Sequence, residues 1–142
     1  MAVLPATIAR VADAMRGDEA PAAVLPTVRR ADPYTHFERA ADGRISAMLQ
    51  RREGDVMPAA GESDMGLFAL TRQAYERDLQ EYARGVRPGR GTGERNFVPF
   101  LPWLAQRAPV VTVPCTDDRE AIGINTPEDL RVVEQWLRSR TA

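Results

Sequence analysis

Helical and extended stretches alternate along the 142 residues, which predicts an α/β fold with a mixed sheet. Three observations carry the prediction. Apolar residues recur at helical spacing near both ends of the chain. Pro109–Val113 is a β-branched run that reads as a buried strand. Two extended segments flank an Asp-Gly turn, which reads as a hairpin inserted in the sheet. With no internal repeat and no composition break, residues 1–142 are expected to form a single domain.

The elements follow in order. Leu4–Gly17 predicts a helix, with Ile8, Val11, Ala12 and Met15 inward and Gly17 at its stop. Ala22–Val28 is a short apolar strand whose Pro26, lacking an N–H, marks an edge or a bulge. Tyr34–Arg39 and Arg44–Arg51 form the hairpin around Asp42-Gly43. Glu53–Gly61 reads as a loop and Met65–Leu70 as a buried strand. Thr71 can cap the next helix, which carries Tyr75, Leu79 and Tyr82 as its apolar stripe. Gly85–Gly93, with four glycines, reads as a flexible loop. Asn96–Arg107, interrupted by Pro99 and Pro102, reads as two short helical turns. The last helix runs from Pro127 to about Arg138, with Leu130, Val133, Trp136 and Leu137 inward.

Composition narrows the chemistry. All 19 basic residues are arginine, so no lysine base, Schiff base or phosphate-binding lysine is available. A net charge of −1 with both signs interspersed argues against nucleic acid or a membrane surface as partner. No apolar run approaches the ~20 residues of a membrane span. The start lacks signal-peptide character, which points to a cytoplasmic protein. One cysteine and one histidine exclude a Cys/His zinc site. His36 has no nucleophile or acid placed beside it by the sequence, and Cys115 has no surrounding motif; both read as structural. Phe97, Phe100 and Trp103 read as core or as a patch for a partner.

One stretch is unusually marked. In Ile124-Asn-Thr-Pro-Glu-Asp129, Thr126 suits a helix N-cap, Pro127 the first helical position, and Asp129 the reciprocal place of a capping box. Those rules leave Asn125 unexplained. It either shapes the turn or faces a ligand at the end of a strand.

Glu120–Leu130, which contains this stretch, resembles the closing motif of the sugar-phosphate nucleotidyltransferases, the nucleoside-diphosphate-sugar pyrophosphorylases. Asp32–Ile45 is similar to that family's mid-domain hairpin, Glu62–Phe68 to its "E-x-N-x-G-x-Y/F" strand, and Thr92–Phe97 to its "G-E-Y" segment. The resemblance implies the later, sugar-holding part of a Rossmann-like nucleotidyltransferase domain. In that family a sugar-phosphate oxygen attacks the α-phosphorus of a nucleoside triphosphate and pyrophosphate leaves, with Mg²⁺ neutralising charge. The residues implied on the sugar side are Thr35, Gln50, Glu62, Asp64, Gly66 and Glu94, with Asn125 as a metal ligand.

The family's phosphate-cradling loop has no counterpart, and its metal aspartate would fall before residue 1. The chain is therefore expected to be inactive alone, or to be a non-catalytic sugar-nucleotide-binding or protein-interaction domain. Lost early strands would leave sheet edges open, so a homodimer, a complementary N-terminal chain or a rebuilt strand order is expected.

Overall fold

The computed structural model describes residues 2–17 and 19–141, and it is an α/β structure with a mixed sheet and a separate hairpin. Its hub is β1 (Ala23–Ala31), in which Ala23 to Val28 are buried consecutively. Such a run is what a strand covered on both faces requires. Along one edge lies β6 (Val110–Pro114), parallel, in register from Ala23↔Val110 to Thr27↔Pro114. The other edge is shared by two antiparallel strands. β4 (Ala60–Asp64) pairs with Thr27 to Ala31, and β5 (Ala69–Leu70) pairs with Ala23 and Val24.

That arrangement corrects the expectation for Pro26. It sits in the central strand, not at an edge, because neither β4 nor β5 pairs with Leu25 or Pro26. The nitrogen without a hydrogen falls where the partner strands are interrupted. The interruption itself comes from Gly66, whose φ of +66° turns the chain off the sheet after β4. Only Ala69–Leu70 of the expected Met65–Leu70 strand is therefore paired, while Ala60–Asp64, expected in part as loop and touched only by the resemblance at Glu62–Phe68, forms a strand. Its buried residues, Gly61 and Ser63, are small enough to lie under the hairpin.

The hairpin is β2 (Thr35–Arg39) and β3 (Ile45–Gln50), with Phe37 opposite Met48 and Gly43 at φ +83° in the turn. Alternation divides the core. Ala23 and Leu25 meet Phe37, Ile45 and Met48 of the hairpin and Phe100, Leu101 and Leu104 of α3 (Phe100–Ala105). Val24 meets Val113 and Val11 of α1 (Pro5–Ala14) on the opposite face.

Several helical stripes differ from expectation. In α1 the buried residues are Thr7 and Val11, whereas Ile8 is 49% exposed. Thr7 is drawn inward because its hydroxyl has a buried partner, described below. After Thr71, whose Oγ1 accepts from the Ala74 N–H at 3.1 Å, the chain makes one π-helical turn, Ala74–Asp78, before α2 (Leu79–Gly85). The wider turn puts Ala74 inward and leaves Tyr75 59% exposed, while Leu79 and Tyr82 pack on the core. Residues 100–105 form one helix, not two turns. Pro99 precedes it and Pro102 is its third residue, where no intrahelical N–H bond is required. In α4 (Pro127–Thr141) Val133 and Trp136 are buried, but Leu130 and Leu137 are 44% and 38% exposed. Only a narrow stripe of this polar helix is covered. Among the described residues, β6 has β1 as its one strand partner, and no helix is long and apolar enough to cross a membrane.

Candidate functional site

A cavity of about 720 Å³ opens where β1, β3 and β4 run out and the chain passes from β6 to α4. The end of β1 contributes Arg30, the start of β2 Thr35, the end of β3 Gln50, and the end of β4 Asp64. Arg52 and Glu53 come from the 3₁₀ turn after β3, Thr92 from the glycine-rich loop and Asn96 from just after it, Asn125 from just before α4 and Asp129 from its first turn. Four residues singled out by the sequence, Thr35, Gln50, Asp64 and Asn125, thus surround one space.

Three others stand elsewhere. Glu62 is bound by Arg39, whose Nη2 donates to Oε1 at 2.7 Å and Nε to Oε2 at 2.9 Å. Burial works against its charge, but hydrogen bonds from Arg39 and Thr27 and the Arg39 and Arg29 charges outweigh it, leaving its carboxyl below the usual range. Gly66 acts on the cavity only through its N–H, which donates to Asp64 Oδ2 at 2.9 Å. Glu94 is exposed and contributes backbone: its carbonyl accepts from the Gly89 N–H at 2.8 Å.

The start of α4 forms as its residues dictate. Thr126 Oγ1 accepts from the Asp129 N–H at 3.2 Å, while Asp129 Oδ2 accepts from the N–H groups of Thr126 and Asn125 at 2.8 and 3.1 Å. The Asp129 carboxyl is lowered by the Thr126 hydroxyl first and then by those two N–H groups. Asn125 shapes this corner through its backbone. Among the described residues its side-chain amide has no hydrogen-bond partner.

Glu53 is the residue that sequence reasoning missed. Its Oε1 accepts from Thr92 Oγ1 at 2.6 Å and from Asn96 Nδ2 at 2.8 Å, and its Oε2 accepts from the Gly91 N–H at 2.8 Å. Those donors hold its carboxyl at about 2, the Thr92 hydroxyl contributing most. The glycine-rich loop, expected to be flexible, is instead fastened to the end of the hairpin. No local signal could reveal this, because the partners lie 38, 39 and 43 residues away.

The electrostatics follow from who is already engaged. Glu53 and Asp129 are committed as described, and Asp64 accepts from the Thr35 hydroxyl at 2.7 Å and from Gly66. Arg30 and Arg52 are exposed, and among the described residues neither has an ion pair or a side-chain hydrogen bond; Arg30 exerts only a weak pull on Asp32. The lining thus pairs two guanidinium groups that have no partner among the described residues with three carboxylates that are hydrogen-bonded by neutral donors and keep their negative charge.

For a metal, the described residues hold no cluster of three His, Cys, Asp or Glu side chains. Asn125 offers an amide oxygen, and Asp129 Oδ1 a carboxylate oxygen outside the capping contacts. Amide and carboxylate oxygens are the donor types that Mg²⁺ takes alongside ligand phosphates.

The remaining candidates are structural. Glu120, in the closing motif, is fully buried and accepts from the Leu4 N–H at 2.8 Å and the Thr7 hydroxyl at 2.9 Å, at the positive end of α1. His36 Nδ1 lies 3.3 Å from the Glu62 carbonyl, under Gly61. Cys115 is half-buried, and its N–H extends the β1–β6 ladder to the Thr27 carbonyl; burial first, then nearby carboxylates, push its thiol up. Phe100 is buried in the core, and half-buried Phe97 and Trp103 pack on it, Phe97 tilted at 5.7 Å and Trp103 stacked at 5.9 Å between centroids.

No protein-family model matches the chain, and no curated protein matches it either.

Proposed function

We propose that the cavity binds an anionic sugar, a sugar phosphate or nucleotide sugar, in a Rossmann-like, nucleotidyltransferase-like domain. The observation that carries the reading is the contrast within the cavity: Glu53, Asp64 and Asp129 are held by neutral donors of the fold, while Arg30 and Arg52 have no partner among the described residues. Guanidinium groups suit phosphate, and Gln50, Thr35 and Asp64 are the hydrogen-bonding groups suited to sugar hydroxyls. An anion seated against Arg30 and Arg52 would be paired with their charges, at a distance from the carboxylates that suit the hydroxyls.

Bound magnesium would supply charge neutralisation for ligand phosphates, and Asn125 and Asp129 are the donors nearest in kind. The chain's own part is to bind and orient the sugar. The parallel β1–β6 pair, with residues of the loop after β6 lining the cavity, supports the Rossmann-like assignment.

One observation favours a binding role over turnover. The Gly91 N–H and Thr92 hydroxyl of the glycine-rich loop are already occupied by Glu53, leaving that loop unable to cradle a triphosphate with those groups. The test is a two-dimensional amide NMR titration with glucose 1-phosphate, uridine diphosphate glucose and glucose, alongside a pyrophosphate-release assay. The reading expects shifts confined to cavity residues with the phosphorylated ligands and no pyrophosphate above background. Equal shifts with glucose, or shifts scattered over the surface, would reject it.

A further inference from the structure

We propose that Glu53 is a positioning residue for the cavity: its carboxylate straps the glycine-rich loop to the end of β3 and so places Thr92 and Asn96 in the wall. This deepens the binding reading and rests on it only for the effect on ligand affinity. Three donors from three different residues converge on one carboxylate at 2.6 to 2.8 Å. Charge-assisted bonds of that length are the stronger kind.

The backbone is fitted to the strap. A Cβ on Gly91 would lie 1.8 Å from the Arg52 carbonyl oxygen, and one on Gly89 would lie 2.4 Å from both Glu53 oxygens. Glycine at these positions permits the close approach; only Gly93, at φ +70°, is there for its dihedral. A second fastening supports the first, since Arg90 Nη2 stands 3.6 Å from Asp55 Oδ1. Inside the loop, Gly93 N–H donates to the Gly89 carbonyl at 2.9 Å and Glu94 N–H to Thr92 Oγ1 at 3.1 Å. Thr92 thereby spends its hydroxyl hydrogen on Glu53 and its lone pair on the loop. Arg52 precedes Glu53 in the same 3₁₀ turn and its carbonyl lies against Gly91, so the strap also bears on the backbone that carries this cation.

The experiment compares wild type, Glu53→Gln and Glu53→Ala by amide hydrogen exchange and by titration with glucose 1-phosphate. Glu53→Gln keeps one acceptor oxygen but turns an NH₂ group toward one of the three donors. The strap predicts graded loss of protection across 89–96, larger in Glu53→Ala, with β1 and β6 amides unchanged. Affinity should fall about tenfold in Glu53→Ala, the scale of losing charge-assisted hydrogen bonds that fix a binding wall. Unchanged exchange at Gly91 and Thr92 would overturn the strap, and unchanged affinity with a released loop would overturn its positioning role. Should Glu53→Ala fail to fold, Thr92→Val carries the same test at the rim. If wild type binds no glucose 1-phosphate, the ligand reading fails, and loop exchange still decides whether Glu53 holds the strap.

Discussion

The Thr7 hydroxyl donates to Glu120 Oε1 at 2.9 Å, joining the first helix to the segment that leads into the last one. Both side chains are buried, at 1% and 0% exposure, and the Leu4 N–H completes the cluster through Oε2. Glu120→Ala would leave a buried hydroxyl and a backbone N–H without a partner. The expected loss is about 2–4 kcal/mol in urea unfolding, with Glu120→Gln retaining part of it. A loss below that of an ordinary surface substitution would show the cluster to be unimportant.

Acid should weaken two contacts in the same direction. Glu53 and Asp117 sit at about 2 against ordinary values of 4.5 and 3.8. For Asp117 the Arg119 side chain contributes most, burial opposes it, and the Arg119 N–H and Trp136 indole add to it. A carboxyl lowered in the folded state adds stability that is complete above its unfolded value and lost as pH falls toward its folded one. Unfolding midpoints should thus hold steady from neutral pH to about 4.5 and fall between there and about 2. The Trp136 indole N–H, 3.0 Å from Asp117 Oδ2, should shift in the same window, and Asp117→Asn should remove that shift.

Two glycines separate packing from flexibility. Gly91→Ala drives a Cβ into the Arg52 carbonyl and should cost about 1–3 kcal/mol, with altered exchange around the strap. Gly85→Ala, which meets nothing within 4 Å at the end of α2, should be neutral or stabilising by up to about 1 kcal/mol. Thermal melts of the pair check this; equal effects would contradict it.

At the start of α4, cap and ligand roles are separable. Asp129→Ala breaks the reciprocal cap and should cost about 1 kcal/mol. Asn125→Ala removes no side-chain hydrogen bond among the described residues and should leave stability within about 0.5 kcal/mol, while weakening sugar-phosphate binding. A stability loss as large as that of Asp129→Ala would return Asn125 to a purely structural role.

What the sequence disclosed depended on how local each rule was. The hairpin and the α4 start were legible because Asp42-Gly43 and Thr126-Pro127-x-Asp129 act within a few residues. β4 escaped the residue pattern because Ala60–Asp64 is polar and its partners on β1 lie 29 to 37 residues away; only the motif resemblance at Glu62–Phe68 touched it. The π-turn shifted Tyr75 outward in a way that a 3.6-residue period cannot encode. In the cavity, Thr35, Gln50, Asp64 and Asn125 came from motif resemblance, whereas Glu53, Arg30 and Arg52 emerge only when distant loops meet.

Calorimetric titration of wild type, Arg30→Gln and Arg52→Gln with glucose 1-phosphate decides whether the cavity is a sugar-phosphate site. Such a site gives saturable one-site binding, about tenfold weaker in each variant and weaker with added salt, and none with glucose. No binding by wild type, or binding indifferent to both arginines, would contradict it.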